Sequence, residues 1–379
     1  MRRLLTLALL VSAPAFAGFS WRIQVTLDHT EVGAGVENES SFPVALTPSD
    51  ASLKTVANGG KVSSSLGADI LAYSDSACTA QLPTELESYD GASGITVLWV
   101  RISTLSYTAN GSIYICTGNA SPPSRTTGVW DSNFVGVWHF PNGTTLSVLD
   151  STINANAGSP IGAITPTSGR IDGAVNAVTA GLNNYINVAD SASLRIAGQL
   201  TISAWVNQTA RNGNGSLIAQ KRNNTSPCST DYNYGLWIQG NGQAMFQFGS
   251  DCNGGGVDTG SAVPLSAWAH IAVTVNESVA TKFIFYLDGA QNSTPAYNET
   301  MPSSGTAPVG LLNYNFEAGE YFLNGSADEI RISNIARSAG WISTEYKNQS
   351  NPGNIGSPGF ATFGSWVPLG TSQGYQILM

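Results

Sequence analysis

The sequence predicts an all-β protein of two antiparallel β-sandwich domains, and three observations predict it. Apolar and polar residues alternate in segment after segment, the period of a half-buried strand, and no stretch carries the 3.6-residue apolar period of a helix. Charged residues make up only 11% of the 379, against roughly 25% in a typical globular chain, so the surface must be built from Ser, Thr, Asn, Gln and Gly. Glycine occurs 41 times, supplying the turns that many short strands need. The length suffices for two domains, each with its own hydrophobic core.

Residues 1–17 read as a cleaved secretory signal peptide. Arg2 and Arg3 precede the apolar run Leu4 to Val11, and Ala15-Phe16-Ala17 places small residues where a signal peptidase cuts. That run is too short to cross a bilayer and no later segment reaches the length of a membrane span. The product is therefore expected to be exported, to the periplasm, the cell surface or the medium. A net charge of −9 and a pI near 4.7 leave no basic stripe for phosphates, which argues against a nucleic-acid partner.

Residues 18–125 form the first expected sandwich, with strands at WRIQVTL, FPVALT, DILAYS, TVLWVRI and SIYIC separated by turn residues. Glu85 and Glu87 in TELESYD share a strand face, as paired acid–base carboxylates would. With no histidine or third carboxylate near them in sequence, a solvated strand edge or an Arg partner such as Arg101 explains them better. Pro122-Pro123 stops the last strand, and residues 126–134 make a short linker, so the domains are expected to pack closely. Residues 135–347 carry the second sandwich: LTISAWVNQ (Leu200 to Gln208), SAWAHIAVTVN, KFIFYLDG and NGSADEIRIS are its clearest strands. Residues 348–379 are a Gly- and Pro-rich tail, expected to add an edge strand or to stay loosely ordered.

Four cysteines in an exported chain suggest two disulfides. Cys228 and Cys252 flank the hairpin signal Gly240-Asn241-Gly242 almost evenly and would meet at its open end. Cys78 and Cys116 would then pair within the first domain.

The first domain, from WRIQVTLDHT through ADILAYSDSACTAQLPTELESYD and ITVLWVRIS to IYICTGNA, resembles bacterial domain-of-unknown-function family 2341. The resemblance implies a β-sandwich and no assigned chemistry. From Val135 onward, VWHF, DSTINANAG, NNYINVADSASLRIAGQLTISAWV, FYLDG and NGSADEIRISNIARS follow in the order of the concanavalin A-like, laminin-G-like jelly-roll family, which they resemble. The second sandwich is accordingly expected to be a jelly roll.

Strand parity assigns the jelly-roll faces. Leu200, Ile202, Ala204 and Val206 should face the core, with Ile271, Val273 and Val275 and with Phe283, Phe285 and Leu287. The opposite face would carry Trp205, Asn207, His270 and Tyr286, a candidate sugar platform of aromatic rings with hydrogen-bonding side chains between them. The competing explanation is that loops or a sheet edge cover this face and Trp205 is local core. In ADEIRIS, Ile330 and Ile332 should point inward, and parity puts Asp328 on their side, where a carboxylate must be paired or bound to a cation. The jelly-roll resemblance implies a structural calcium at this strand, completed by carbonyls near Trp138 to Phe140, with Asp150 a second ligand candidate. The alternatives are an Arg331 or Arg337 partner for Asp328 and an Asx-turn for Asp150.

No Glu-x-Asp-x-x-Glu strand of the glycoside hydrolases that share the jelly-roll architecture occurs, nor metal-type spacing of His and Cys. The expected function is therefore non-catalytic binding of a glycan or another cell-surface or extracellular ligand through the jelly roll. A structural or adhesion component of the envelope is the alternative, and a polysaccharide-acting enzyme stands third.

Overall fold

In the first domain, β1 (Trp21–Leu27) buries Ile23, Val25 and Leu27 and turns Gln24 outward, the alternation its sequence shows. Each such aliphatic side chain contributes about 1.5–3 kcal/mol on full burial. The computed structural model describes residues 18–177, 184–222, 232–249, 254–296, 300–302, 305–313 and 321–369. The expected signal peptide and the expected Cys228–Cys252 pair lie outside those residues.

Strands β2 (Glu39–Leu46), β3 (Leu71–Tyr73), β4 (Thr84–Asp90), β5 (Ile95–Leu105) and β6 (Gly111–Thr117) complete the N-terminal set. They form two antiparallel sheets, β2-β5-β4 on one side and β1-β6-β3 on the other. Cys78 and Cys116 are disulfide-bonded across this domain with Cα atoms 6.4 Å apart, a separation ordinary for the bond.

The second domain runs from β7 (Phe134–Trp138) through β8 (Gly158–Ile161), β9 (Thr165–Ser168), β10 (Gly173–Asn176) and β11 (Tyr185–Val188) to β12 (Gln199–Gln208). It continues with β13 (Ser216–Lys221), β14 (Tyr234–Ile238), β15 (Ala244–Phe248), β16 (Gly254–Val257), β17 (Ala269–Asn276), β18 (Phe283–Leu287), β19 (Ala290–Ser293), β20 (Val309–Leu311) and β21 (Gly325–Ser333). Among the described residues one sheet has the order β19-β18-β17-β12-β21-β10-β9, with β7 also on β21, and the other the order β16-β15-β14-β13-β20-β11-β8. The core lies between them. Leu200, Ile202, Ala204, Val206, Ile271, Val273, Val275, Phe283 and Phe285 all belong to it, and Leu287 packs on its rim. Around the expected turn, β14 and β15 pair as a hairpin with Gly242 at φ 90°, where only glycine is unstrained.

The C-terminal segment departs from expectation in two ways. Ala339–Ser350 forms a helix, α1, capped by Ser338 Oγ accepting from Trp341 N at 3.0 Å. Beyond it, β22 (Ala361–Phe363) and β23 (Val367–Pro368) pair with β1 of the first domain. The edge strand that the tail was expected to add therefore belongs to the other sandwich, and it covers a sheet edge that would otherwise stand open. The expected linker is packed as well, with Val129 and Trp130 inside the first domain's core. That core crosses the seam and takes in Val137, Ala272 and Tyr286 of the jelly roll and Trp341 and Ile342 of α1.

Candidate functional site

The face expected to be a sugar platform is closed. Parity placed its residues correctly, yet Trp205 is 2% exposed, His270 0% and Tyr286 2%. Helix α1 lies across them. Trp205 Nε1 donates to Gln349 Oε1 at 2.6 Å, its ring stacks on Tyr346 at 5.6 Å, and the Arg170 guanidinium lies 5.0 Å from its centroid. His270 Nε2 meets Glu345 Oε1 at 3.2 Å, and Ser203 Oγ donates to the same oxygen at 2.7 Å. Tyr286 packs into the first domain's core, and Asn207 is half-buried. A ring with its faces occupied cannot stack on a sugar, so Trp205, His270 and Tyr286 are interface residues. The opposite side of α1 holds the first domain. Asn348 exchanges two hydrogen bonds with the Ala45 backbone, at 2.7 and 3.0 Å, and Thr344 Oγ1 accepts from Gly33 N at 2.7 Å.

The structure also corrects the parity of Asp328. Between β12 and β21 the register shifts after Ser203 and Arg331, and Glu329 adopts the left-handed φ of 52°. This is a β-bulge, in which one extra residue resets which side chains point inward. Ala327 and Ile330 face the core while Asp328, opposite Trp205, faces the seam. Asp328 Oδ2 accepts from Arg170 N and Ile171 N at 2.8 and 2.9 Å, and burial, then the charge of Glu329, pushes its carboxyl well above the usual range. Arg331 pairs with Glu329 instead and Arg337 with Asp131, so neither arginine serves Asp328. Asp150 is an Asx-turn residue whose oxygens accept from Val137 N, Thr152 N, Thr152 Oγ1 and Asn156 N. Calcium requires six to eight oxygen lone pairs. The groups bonded to Asp150 and to Asp328 Oδ2 are N–H and O–H donors, while Asp328 Oδ1 is buried without a hydrogen-bond partner.

The bulge aims Glu329 and Arg331 into a buried polar cluster between the domains. His139 Nδ1 lies 2.7 Å from Glu329 Oε1 and 3.7 Å from Glu87 Oε2, and its Nε2 lies 3.6 Å from Glu85 Oε1. Trp99 Nε1 donates to Glu87 Oε2 at 2.7 Å and Trp130 Nε1 to Glu85 Oε2 at 2.6 Å. The Arg331 guanidinium lies 4.7 Å from the Trp99 ring and 4.8 Å from Trp130. Burial alone would lower the His139 pKa, but Glu329, Glu87 and Glu85 raise it to about 9. Burial pushes the Glu87 carboxyl up to about 8 against the pull of His139. Burial also opposes ionisation of Glu345, yet the Arg331 charge and the His270 hydrogen bond bring it down to about 2. Sequence reasoning placed Glu85 and Glu87 at a solvated edge because His139 and Glu329 come from the other domain. Their shared strand face was the one available signal.

The other sheet presents a different surface. On its outer side Leu217 and Trp237 pack with Met245 and Tyr321, and Trp237 meets Tyr321 edge-on at 5.2 Å. Beside them an open cavity of about 510 Å³ is lined by Gly213, Asn214, Gly215, Trp237, Gln239, Gly240, Asn241 and Met245. None of these side chains ionises. Asn214, Gln239 and Asn241 place amides around the cavity, with the half-buried Met245 and the edge of a Trp237 that is 2% exposed. The residues were visible in sequence only as turn formers.

Residues 179–343 match the family model described as the concanavalin A-like lectin/glucanases superfamily, and residues 67–134 match a model described as a domain of unknown function (DUF2341). The expected succession of the two families is thus present in the chain. No curated protein matches it. Among solved structures, domain 4 of AbnA, a GH43 extracellular arabinanase from Geobacillus stearothermophilus, is similar at 19% identity and a TM-score of 0.44, over 56% of this chain and 98% of that one. The botulinum neurotoxin serotype G binding domain is similar at 14% identity and a TM-score of 0.45, over 59% of this chain and 53% of that one. A Trypanosoma rangeli sialidase is similar at 11% identity and a TM-score of 0.40, over 58% of this chain and 34% of that one. All three scores lie below 0.5 and carry no argument about what this chain binds.

Proposed function

We propose that this chain is an exported, non-catalytic binding protein that recognises a neutral glycan through the outer face of the second jelly-roll sheet. The observation that carries the proposal is the cavity of about 510 Å³ at Trp237, whose lining is amide and apolar without an ionisable side chain. Amides donate to and accept from hydroxyls, and the half-buried Met245 offers an apolar contact beside them. Its volume falls in the range of small-ligand sites. The concanavalin A-like match covers this face. The Cys78–Cys116 disulfide is consistent with an oxidising compartment, and no helix of the described residues is long and apolar enough to cross a membrane.

The test is a neutral-oligosaccharide array probed with the full chain and with an Asn214→Ala/Asn241→Ala double variant. Binding by the parent and at least a tenfold loss in the variant, with unchanged circular dichroism, is the expected outcome. Absence of neutral-glycan binding, or binding indifferent to the variant, overturns it. Release of reducing ends from a bound polysaccharide would overturn the non-catalytic part.

A further inference from the structure

We propose that Glu87, His139 and Glu329 form a site for one divalent transition cation, of the zinc or manganese type, that ties the two domains together at their seam. One ligand atom from each of the three residues lies within 4.8 Å of the others. The site is composite. Glu87 comes from β4 of the first domain, His139 from the residue after β7, and Glu329 from the bulge of β21.

Each of the three is held from outside by a second group. Arg331 Nη2 donates to Glu329 Oε2 at 2.6 Å, Trp99 Nε1 donates to Glu87 Oε2 at 2.7 Å, and His139 Nε2 faces Glu85 Oε1 at 3.6 Å. Outer partners of this kind orient metal ligands, and an imidazole nitrogen backed by a carboxylate is their commonest form. Imidazole with two carboxylates suits zinc or manganese, whereas calcium takes oxygen alone.

A second, independent observation points to a ligand. The Glu87 side chain is 1% exposed, and its Oε1 lacks a hydrogen-bond partner. Buried polar atoms normally find one. The charge is unbalanced too, because Glu85, Glu87, Glu329 and Glu345 converge on a single guanidinium, Arg331, and two imidazoles. A proton on Glu87 would cancel one charge but leave its O–H without an acceptor at Oε1. A cation would satisfy both the charge and the lone pairs. Glu85 and Trp130, both in contact with His139, also line an open cavity of about 320 Å³.

The full chain, stripped with EDTA and desalted, is titrated with Zn²⁺ and with Mn²⁺ by calorimetry, with Ca²⁺ and Mg²⁺ as controls. The expected result is one equivalent of Zn²⁺ or Mn²⁺ per chain, a raised melting temperature, and at least tenfold weaker uptake in Glu87→Gln, with Asp150→Asn unaffected as a ligand control. To keep the test independent of the folding of Glu87→Gln, Co²⁺ is added to the parent protein, where visible d–d bands of a nitrogen- and oxygen-ligated ion support the site without any variant. No stoichiometric uptake of Zn²⁺, Mn²⁺ or Co²⁺ overturns the proposal, as does uptake undiminished in a folded Glu87→Gln. The site is remote from the Trp237 cavity, so glycan binding can fail while metal binding holds, and the reverse.

Discussion

On the outer face of the β12–β17–β18 sheet, Trp205 lies beneath α1, its N–H given to Gln349 and its ring held by Tyr346. On the outer face of the β13–β14–β15 sheet, Trp237 gives its N–H to the Tyr232 hydroxyl at 3.1 Å and borders an open cavity. Both faces present a tryptophan among polar residues on antiparallel strands. What separates them is the segment the chain sends back across one of them. Helix α1 turns Ser203, His270 and Trp205 into an interface, whereas Trp237, itself 2% exposed, has an open cavity beside it. A sheet's outer face is thus defined as much by what packs on it as by the residues it carries.

The covered face should respond to substitution as a core, and the open one as a surface. Replacing Glu345 has the largest expected effect. Glu345→Ala leaves His270 Nε2 and Ser203 Oγ without their carboxylate and takes from Arg331 one of its two, and losing one partner of a buried ion pair costs about 3–5 kcal/mol, measurable as a drop in urea midpoint. The pH dependence follows from its depressed pKa of about 2. Its stabilisation is fully present above the unfolded value of 4.5 and is lost as pH falls toward 2, because the unfolded state takes up the proton first. The stability difference between parent and Glu345→Gln should therefore shrink steadily from pH 5 downward, and a constant difference would detach Glu345 from Arg331. Gln349→Ala should cost less, about 1–3 kcal/mol, the penalty for stranding the buried Trp205 N–H. A midpoint unchanged by that substitution would mean that water replaces the amide and that α1 is loosely seated. Asn241→Ala on the open face should shift stability by no more than about 0.5 kcal/mol while weakening glycan binding. A large stability loss there would make the cavity rim part of the scaffold and erase the contrast between the faces.

Much of this architecture was legible in the strands. Alternation identified β1, β5, β12, β17 and β18 and put Leu200, Ile202 and Val273 inside, because one face of each strand is buried and a period of two is then enforced. The Gly240-Asn241-Gly242 hairpin was legible because its turn requires a glycine at positive φ. Helix α1 was not. Its buried Thr344, Glu345, Asn348 and Gln349 are polar, and a helix gripped between two domains by hydrogen bonds shows no apolar stripe. The bulge at Glu329 escaped for a related reason, since one inserted residue leaves no mark in composition and yet reverses the side of Asp328.

The sequence by itself determined the all-β class, the succession of two sandwiches, Cys78–Cys116 as a candidate pair and, outside the bulge at Glu329, which residues share each strand face. These follow from local rules of alternation, turn chemistry and redox setting that act within one strand or one turn. Only the tertiary structure decided which face is covered, where the C-terminal strands pair, and that Glu85 and Glu87 meet His139 and Glu329. Those outcomes depend on contacts between segments hundreds of residues apart, and no local pattern records which partner a polar side chain finds once the chain has folded back on itself.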